Sequence, residues 1–223
     1  MRTITVTNFN ELNEAFSKYK NDRAWIFRGH SNFEWKLVPK IGRPEFENID
    51  ERACFKSWKR RAIEFVDSTD LNDWDWLSIA QHHGLATRLM DWTYNPLNAA
   101  YFSVKEKYDV DAVIYCHRPT YIAITNNNRP FNVPLTGSFR PRGVTRRIIS
   151  QSGIFTIHHK PRIPMDEIDA NYELEQIVID KTYRDKLLIK LDHYGVNEYS
   201  LFPNLDSLSS YVNWFTSHSE KLF

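Results

Sequence analysis

Polar side chains that can hydrogen-bond or move a proton are concentrated between Gln81 and Thr93. Seven of the thirteen residues in this stretch bond strongly through their side chains: Gln81, His82, His83, Thr87, Arg88, Asp91 and Thr93. The pattern predicts the end of a helix, a turn at Gly84 and a short strand. A junction of this kind holds polar groups at a fixed spacing, which catalysis and binding both require.

The adjacent histidines of this stretch, His82 and His83, are weak candidates for a metal site. Neighbouring side chains on a helix point about 100° apart, so they do not easily chelate one ion. His83 shares an apolar face with Trp76, which favours a core position. His82 is the better candidate for acid–base chemistry, because the ordinary pKa of histidine lies near neutrality. No metal site is predicted.

A second candidate is Arg28, which follows the apolar run Ala24-Trp25-Ile26-Phe27 and precedes Gly29. An arginine at the end of a strand is well placed to face a cleft, where its planar fork can hold a phosphate or a carboxylate through two bonds. The alternative is a structural salt bridge to an acidic residue such as Asp91.

A third candidate is the segment from Arg140 to Ser152. It holds four arginines in eight residues, Arg140, Arg142, Arg146 and Arg147, and such a cluster can clamp phosphates or nucleic acid. The alternative is a solvated loop balanced by acidic neighbours.

The elements that position these residues are predicted helices and strands. They are mixed along the chain without regular βαβ alternation, which favours an α+β fold. Asn95-Pro96 predicts a helix start, a cap followed by proline in the first turn. Helices are expected near 9–19, 45–66, 73–83, 96–104, 183–194 and 205–215. Strands are expected near 24–27, 85–90, 110–116, 154–158 and 174–179.

Composition places broad limits on the number of domains, the partners and the compartment of the chain. The chain has 223 residues, 42% of them hydrophobic and 26% charged, which suits one globular domain spanning residues 1–223. The net charge of +1 favours neither nucleic acid nor an anionic membrane as a general partner. The two cysteines, Cys54 and Cys116, make no disulfide framework or zinc spacing, so we expect free thiols in the cytoplasm. We see no signal peptide and expect no membrane span.

Several blocks resemble the FRG domain family. Phe27-Arg28-Gly29 resembles its naming motif, Leu37-Val38-Pro39-Lys40 with Arg43 its next block, and Gln81 to Pro96 its longest block. The segments 147–155 and 201–206 of this chain resemble two further blocks of the family. The resemblance covers nearly the whole chain and implies one domain. The family occurs in bacteria and phages, in settings that suggest defence or toxin roles, but its name supplies no reaction.

A more distant resemblance is to the ADP-ribosyltransferases. These begin with a strand ending in Arg-Gly or His-Gly, followed by a hydroxyl-bearing strand, a helix with alanines, and a late strand with Glu or Gln. Arg28-Gly29, the segment Leu89–Thr93 and Gln151 occur in that order here. Asp91-Trp92-Thr93 replaces the usual Ser-Thr-Ser, and Gln151 stands where a glutamate is usual.

The resemblance implies an NAD-binding transferase-like domain with a small split or bent, mostly antiparallel sheet flanked by helices. It implies Arg28, Gln151 and His82 as catalytic residues. The ligand-binding residues would be Gly29, Thr87, Arg88, Asp91, Trp92, Thr93 and Tyr101. Trp92 or Tyr101 would stack on the nicotinamide, and a protein or RNA would be the acceptor.

Two alternatives stay open. One is an RNA-directed nuclease or phosphodiesterase that uses Arg28, the two histidines and the arginine cluster. The other is a non-catalytic ligand-sensing or interaction module in which the polar block only stabilises the fold.

Overall fold

The chain forms an open seven-stranded sheet flanked by helices in a computed structural model that describes residues 2–66, 70–124, 129–140, 150–168 and 173–218. The strands are β1 (Arg2–Val6), β2 (Ile26–His30), β3 (Leu89–Thr93), β4 (Ala112–Arg118), β5 (Gly137–Phe139), β6 (Gly153–Ile157) and β7 (Glu173–Ile179). Their order across the sheet is β1-β7-β4-β2-β3-β6-β5. The β1–β7 pair is parallel and the other strand pairs are antiparallel. The α+β prediction is confirmed.

Helices of very different length surround the sheet. In the described part of the chain they are α1 (Phe9–Ser17), α2 (Glu51–Ala62), α3 (Asp73–His82), α4 (Pro96–Val104), α5 (Met165–Ile168), α6 (Arg184–His193), α7 (Glu198–Leu201) and α8 (Leu205–His218). The start of α4 is as predicted, because the Asn95 side chain accepts a hydrogen bond from the Leu97 amide and Pro96 occupies the first turn. None of these described helices has the length and apolar character needed to span a membrane.

The helix predicted over 45–66 is shorter than expected. Two 3₁₀ turns, Lys40–Gly42 and Pro44–Phe46, precede it, and α2 begins only after Asp50. The Asp50 carboxylate accepts from the Arg52 and Ala53 amides, which stops the helix from extending further back. The strand expected over 85–90 is β3, which begins four residues later and ends three residues later.

The core divides into layers because side chains alternate along each strand. Phe27 and Ile114 point into the layer that α1, α4 and α6 cover. Leu89 and Phe155 pack in the layer that holds residues of α2 and α3. The alternate positions form a third cluster on the sheet: Ile26, Met90, Trp92, Val113, Tyr115 and Ile154.

Both cysteines are free thiols, as expected. Cys116 lies in β4 and is buried, and this burial raises the pKa of its thiol to about 12. A thiol held protonated in the core is a packing group rather than a nucleophile.

The centre of the sheet is interrupted. β2 pairs with β4 over all five of its residues, but with β3 at one position, Phe27 opposite Thr93. Beyond that pair the two strands separate. The Arg28 side chain crosses the gap, and its Nη1 donates to the Asp91 backbone oxygen at 2.6 Å.

Candidate functional site

A cleft of about 910 Å³ opens where β2 and β3 separate. Its walls come from both strands, from the segment between Glu34 and Glu45, from one side of α4, and from Gln151. Clefts of about 300–1,000 Å³ are typical of small-molecule and cofactor sites. The gap therefore has the size of a ligand site.

Arg28 lies partly buried in this cleft and is fixed at two points. Its Nε donates to His30 Nε2 at 3.0 Å, and its Nη1 donates to the Asp91 carbonyl oxygen. Burial lowers the pKa of the Arg28 guanidinium, while the nearby Asp91 charge opposes that shift. A guanidinium carries five N–H donors, so others stay available after these two bonds.

His30 supports Arg28 as a neutral base. Burial, followed by the charges of Arg28 and Arg43, lowers the pKa of His30 to about 3, so the ring is uncharged at pH 7. Because Nε2 accepts from Arg28, the ring hydrogen belongs on Nδ1. Within the described residues Nδ1 has no partner at ideal hydrogen-bond geometry, but the Trp35 backbone is close enough to interact with the ring and favours its protonated form.

Asp91 is exposed in the cleft and is held by a chain of side chains. Gln81 Nε2 donates to Asp91 Oδ2 at 2.7 Å, and Thr87 Oγ1 donates to Gln81 Oε1 at 2.7 Å. The Leu89 amide in turn donates to the Thr87 hydroxyl at 3.1 Å. Gln81 and Thr87 thus form one network that orients the Asp91 carboxylate beside Arg28.

The structural alternative for Arg28, an ion pair with Asp91, is not what the geometry provides. Across the described residues no carboxylate–cation pair within 4.0 Å joins these two side chains. Arg28 contacts the Asp91 backbone instead. The Asp91 carboxylate is therefore held by a neutral amide and keeps its charge available to the cleft.

Thr93 and Gln151 form the floor of the cleft where the strands still pair. The Thr93 hydroxyl donates to the Gln151 backbone oxygen at 2.6 Å and accepts from the Asn95 amide at 3.0 Å. Asn98 Nδ2 also donates to the Gln151 oxygen, at 3.1 Å. The Gln151 side chain donates to the Leu201 carbonyl at 3.3 Å. These bonds commit both residues largely to joining α4, β3 and the segment before β6.

Gly29 has a steric role. A Cβ at this position would lie 2.5 Å from the Ser103 nitrogen and closer still to the Ala99 carbonyl oxygen. Only glycine lets α4 approach β2 this closely. In the Arg28-Gly29 pair, the Arg28 side chain therefore lies in the cleft, and Gly29 allows α4 to pack directly on the β2 backbone.

The strands and the helix that border the cleft lie in a region that matches a known protein family. Residues 23–112 match the family model described as FRG domain. Over these residues the chain is similar to the FRG domain family. The matched region includes β2, β3 and α4, so both strands that border the opening belong to it. No curated protein and no solved structure matches the chain.

Six of the residues predicted for the FRG site line the cleft, and four do not. The lining residues are Arg28, Gly29, Asp91, Trp92, Thr93 and Gln151. Thr87 acts through Gln81, as described above. The others outside the lining are His82, Arg88 and Tyr101.

Arg88 is engaged elsewhere. Its Nε and Nη2 donate to Glu51 Oε2 at 3.0 and 2.8 Å, and its amide donates to Glu51 Oε1 at 2.7 Å. Its guanidinium also lies 5.0 Å from the centre of the Phe131 ring. This buried pair ties the start of α2 to the entry of β3.

The two aromatic residues expected to stack on a ligand are committed to internal packing. Trp92 is buried, and its Nε1 donates to the Thr156 hydroxyl at 2.8 Å. Tyr101 is buried among α6 and α7 and lines a separate cavity of about 100 Å³. Burial raises the pKa of the Tyr101 phenol well above its usual value.

The predicted histidine pair and the described part of the arginine cluster do not line the cleft. His82 packs edge-to-face on His83, with ring centres 5.0 Å apart, and neither residue lines the cleft. His83 is exposed just after the end of α3, so its predicted core position is wrong. Arg140 lies over the Tyr94 ring, while Arg142, Arg146 and Arg147 lie outside the described residues. Within the described ranges no group of three potential ligands could hold a metal ion.

Sequence reasoning missed the wall formed by residues 34–45. Trp35 lines the cleft with 42% of its surface exposed, and its ring packs edge-to-face against Tyr108 at 5.5 Å. Arg43 lines it as well. Arg43 had a signal, since it lies in a family-like block, whereas an aromatic residue in an irregular loop has no periodicity to reveal it.

Charge in the cleft is mixed. The basic lining residues are Arg28, Lys36, Arg43, Lys105 and Arg162, and the acidic ones are Glu34, Glu45, Asp91 and Glu106. Such a wall suits a ligand that carries phosphate charge and also sugar hydroxyl groups, because cations hold the former and carboxylates accept from the latter.

Proposed function

We propose that the FRG domain cleft binds NAD and that the domain is ADP-ribosyltransferase-like. The observation that carries this proposal is the opening between β2 and β3, with the fixed fork of Arg28 across it. Arg28 would hold the pyrophosphate, because a guanidinium makes parallel charge-assisted bonds to phosphate oxygens. The cleft volume and its exposed Trp35 suit a ligand with two phosphates and aromatic bases.

The proposed reaction breaks the bond between the ribose C1′ and the nicotinamide nitrogen of NAD. The bonding electron pair leaves with neutral nicotinamide, and water or an acceptor hydroxyl forms the new bond at C1′ and releases its proton to solvent. The oxocarbenium-like transition state needs a negative charge nearby. Gln151 cannot supply that charge, so we assign it to Asp91, which Gln81 holds in the cleft.

The setting that accompanies this proposal is a bacterial or phage cytoplasm, where a toxin or defence effector could consume NAD or modify a protein or RNA. Both cysteines are free thiols, which is compatible with a reducing compartment.

The test is calorimetric titration with NAD up to millimolar concentration. The wild-type chain should bind, and Arg28→Ala should bind at least about a hundredfold more weakly, since two charge-assisted bonds of about 1.5–3 kcal/mol each are lost. Arg28→Lys should recover only part of the affinity, because lysine presents a point charge.

Arg61→Ala is the matched control, since Arg61 is exposed on α2 and does not line the cleft. It should bind NAD like the wild type. Thermal unfolding of each variant separates loss of binding from loss of folding. No heat from the folded wild-type chain would refute the proposal, and so would an Arg28→Ala variant that binds normally.

A further inference from the structure

Resting on the proposed nucleotide site, we propose that Arg28 and Arg43 together form a subsite for the diphosphate of a nucleoside diphosphate group. Arg28 takes one phosphate and Arg43 the next. The site would therefore select an ADP moiety over a nucleoside monophosphate.

The first support is the position of Arg43. Its backbone joins the two 3₁₀ turns on the cleft wall, and its amide donates to the Lys40 carbonyl at 3.2 Å. Gly42 before it packs so closely on Pro161 that a Cβ would overlap the Pro161 carbonyl oxygen. Ile41 is buried, and its amide donates to the Thr87 oxygen at 3.3 Å. The base of Arg43 is thus fixed although its side chain reaches solvent.

The second support is that Arg43 has no internal acceptor. Among the residues that the structure describes, it makes no ion pair within 4.0 Å and no side-chain hydrogen bond. The other cations of the wall are engaged in different ways. Lys36 pairs with Glu167 at 3.4 Å, Arg162 donates to the Glu47 and Ile49 carbonyls, and Lys105 lies over the Phe102 ring.

The third support is the mutual effect of the two arginines. Arg28 and Arg43 line the same cleft, and the charge of Arg43 lowers the pKa of both Arg28 and His30, so the two guanidinium groups repel each other. His30, which accepts from Arg28, is neutral and offers no compensating charge. A bound dianion removes this repulsion and gains bonds from both groups.

The fourth support is the buried His30 ring. Its exposed fraction is 7%, and its Nε2 accepts from Arg28 Nε at 3.0 Å. This bond fixes the Arg28 guanidinium where the first phosphate would bind, and it leaves further N–H donors of Arg28 for that phosphate.

The experiment compares ADP with AMP by calorimetry, using the full chain. The wild type should bind ADP at least about tenfold more tightly than AMP, which corresponds to about 1.4 kcal/mol for the second phosphate. Arg43→Ala should bring ADP affinity down to that of AMP without changing AMP affinity. Arg43→Lys should keep part of the difference. Arg60→Ala, exposed on α2 and outside the cleft, should behave like the wild type.

The outcomes are distinguishable. Equal affinity of the wild type for ADP and AMP, or an ADP preference that survives in Arg43→Ala, overturns the diphosphate subsite. An Arg43-dependent ADP preference without any NAD binding leaves the subsite standing and refutes the NAD proposal. A short RNA that binds more tightly than ADP, and loses this affinity in Arg43→Ala, also overturns the inference by assigning the arginine pair to a nucleic-acid backbone.

Discussion

Asp91 illustrates how a single carboxylate can be prepared by neutral neighbours. Its charge is not cancelled by an ion pair within the described residues, and its orientation comes from Gln81 and, behind it, Thr87. An amide donor orients a carboxylate without neutralising it. This is the arrangement expected for a group that stabilises positive charge developing on a ligand.

Asp91→Asn should therefore abolish turnover while leaving binding nearly intact. We expect nicotinamide release from NAD to fall by at least about a hundredfold, the loss typical of one electrostatic group, with an NAD affinity within a few-fold of wild type. Chromatographic detection of nicotinamide gives the rate, and calorimetry gives the affinity. Gln151→Ala is the comparison, and it should retain substantial turnover. If Gln151→Ala is inactive while Asp91→Asn is active, Gln151 carries the chemistry instead.

The residues show where sequence reasoning succeeds and fails. Arg28 and Asp91 were predicted in one site although 63 positions separate them, and the structure brings them together through a different atom, the Asp91 carbonyl oxygen. Arg88 belongs to the same polar block but bonds Glu51, a partner 37 positions away that no local pattern indicates. The spacing of Tyr101 along α4 is compatible with a position in the cleft. The sequence does not show which face of α4 borders the cleft, and in the fold Tyr101 lies on another face.

Among the elements, β2 and α4 form the tightest junction near the cleft. Their contact depends on Gly29, because any Cβ at this position would overlap backbone atoms of α4. The helix cannot move away alone, because it packs on both β2 and β3. Changes at this junction should affect the fold and the cleft together.

Gly29→Ala should reduce the free energy of unfolding by about 2–4 kcal/mol, since backbone atoms must shift to admit the methyl group. Urea denaturation gives the value. Gly84→Ala is the matched control: Gly84 has a φ of +87° but open space around it, so its substitution should cost only about 1 kcal/mol. Equal losses for the two variants would show that the β2–α4 contact can relax and that the close approach is not required.

Elements were predictable where local chemistry determines them. The start of α4 follows from Asn95-Pro96, and the end of α3 from the turn at Gly84, which has a φ of +87°. The region before α2 was not, because helical spacing of apolar residues does not distinguish a helix from two successive 3₁₀ turns. The cleft wall that carries Arg43 lies just before this region and has no periodic pattern that would predict its position. The separation of β2 from β3 is a property of pairing between distant segments, which no single stretch of sequence encodes.

The molecule as a whole buries three neutral histidines near the centre of the sheet. Burial is the leading cause that lowers the pKa of His30 and of His158 to about 3, and that of His117 to about 4. In the unfolded chain these rings titrate near 6.5. Between pH 6.5 and about 4 the unfolded state therefore binds more protons than the folded state, so stability falls as pH falls through this window.

We expect the free energy of unfolding to decrease by about 1.4 kcal/mol per histidine for each pH unit below about 6. Urea titrations at pH 7, 6 and 5 measure this slope. His30→Gln should reduce the slope by about one proton, whereas Asn10→Gln, at an exposed position and without change of a titratable group, should leave it unchanged. A slope that His30→Gln does not alter would mean that the His30 ring is protonated in the folded state.

The single pairing of Phe27 with Thr93 has a mechanical consequence. β1, β7, β4 and β2 form one panel of the sheet, and β3, β6 and β5 form another. The two panels are held together at the seam by that pair, by the Arg28 bond, by α4, which packs on both β2 and β3, and by the third apolar cluster, in which Ile26 and Met90 come from opposite panels. Force applied across the strands should part the panels here before any other strand pair yields. A ligand bound in the opening and in contact with both panels should raise the force at which the two panels separate.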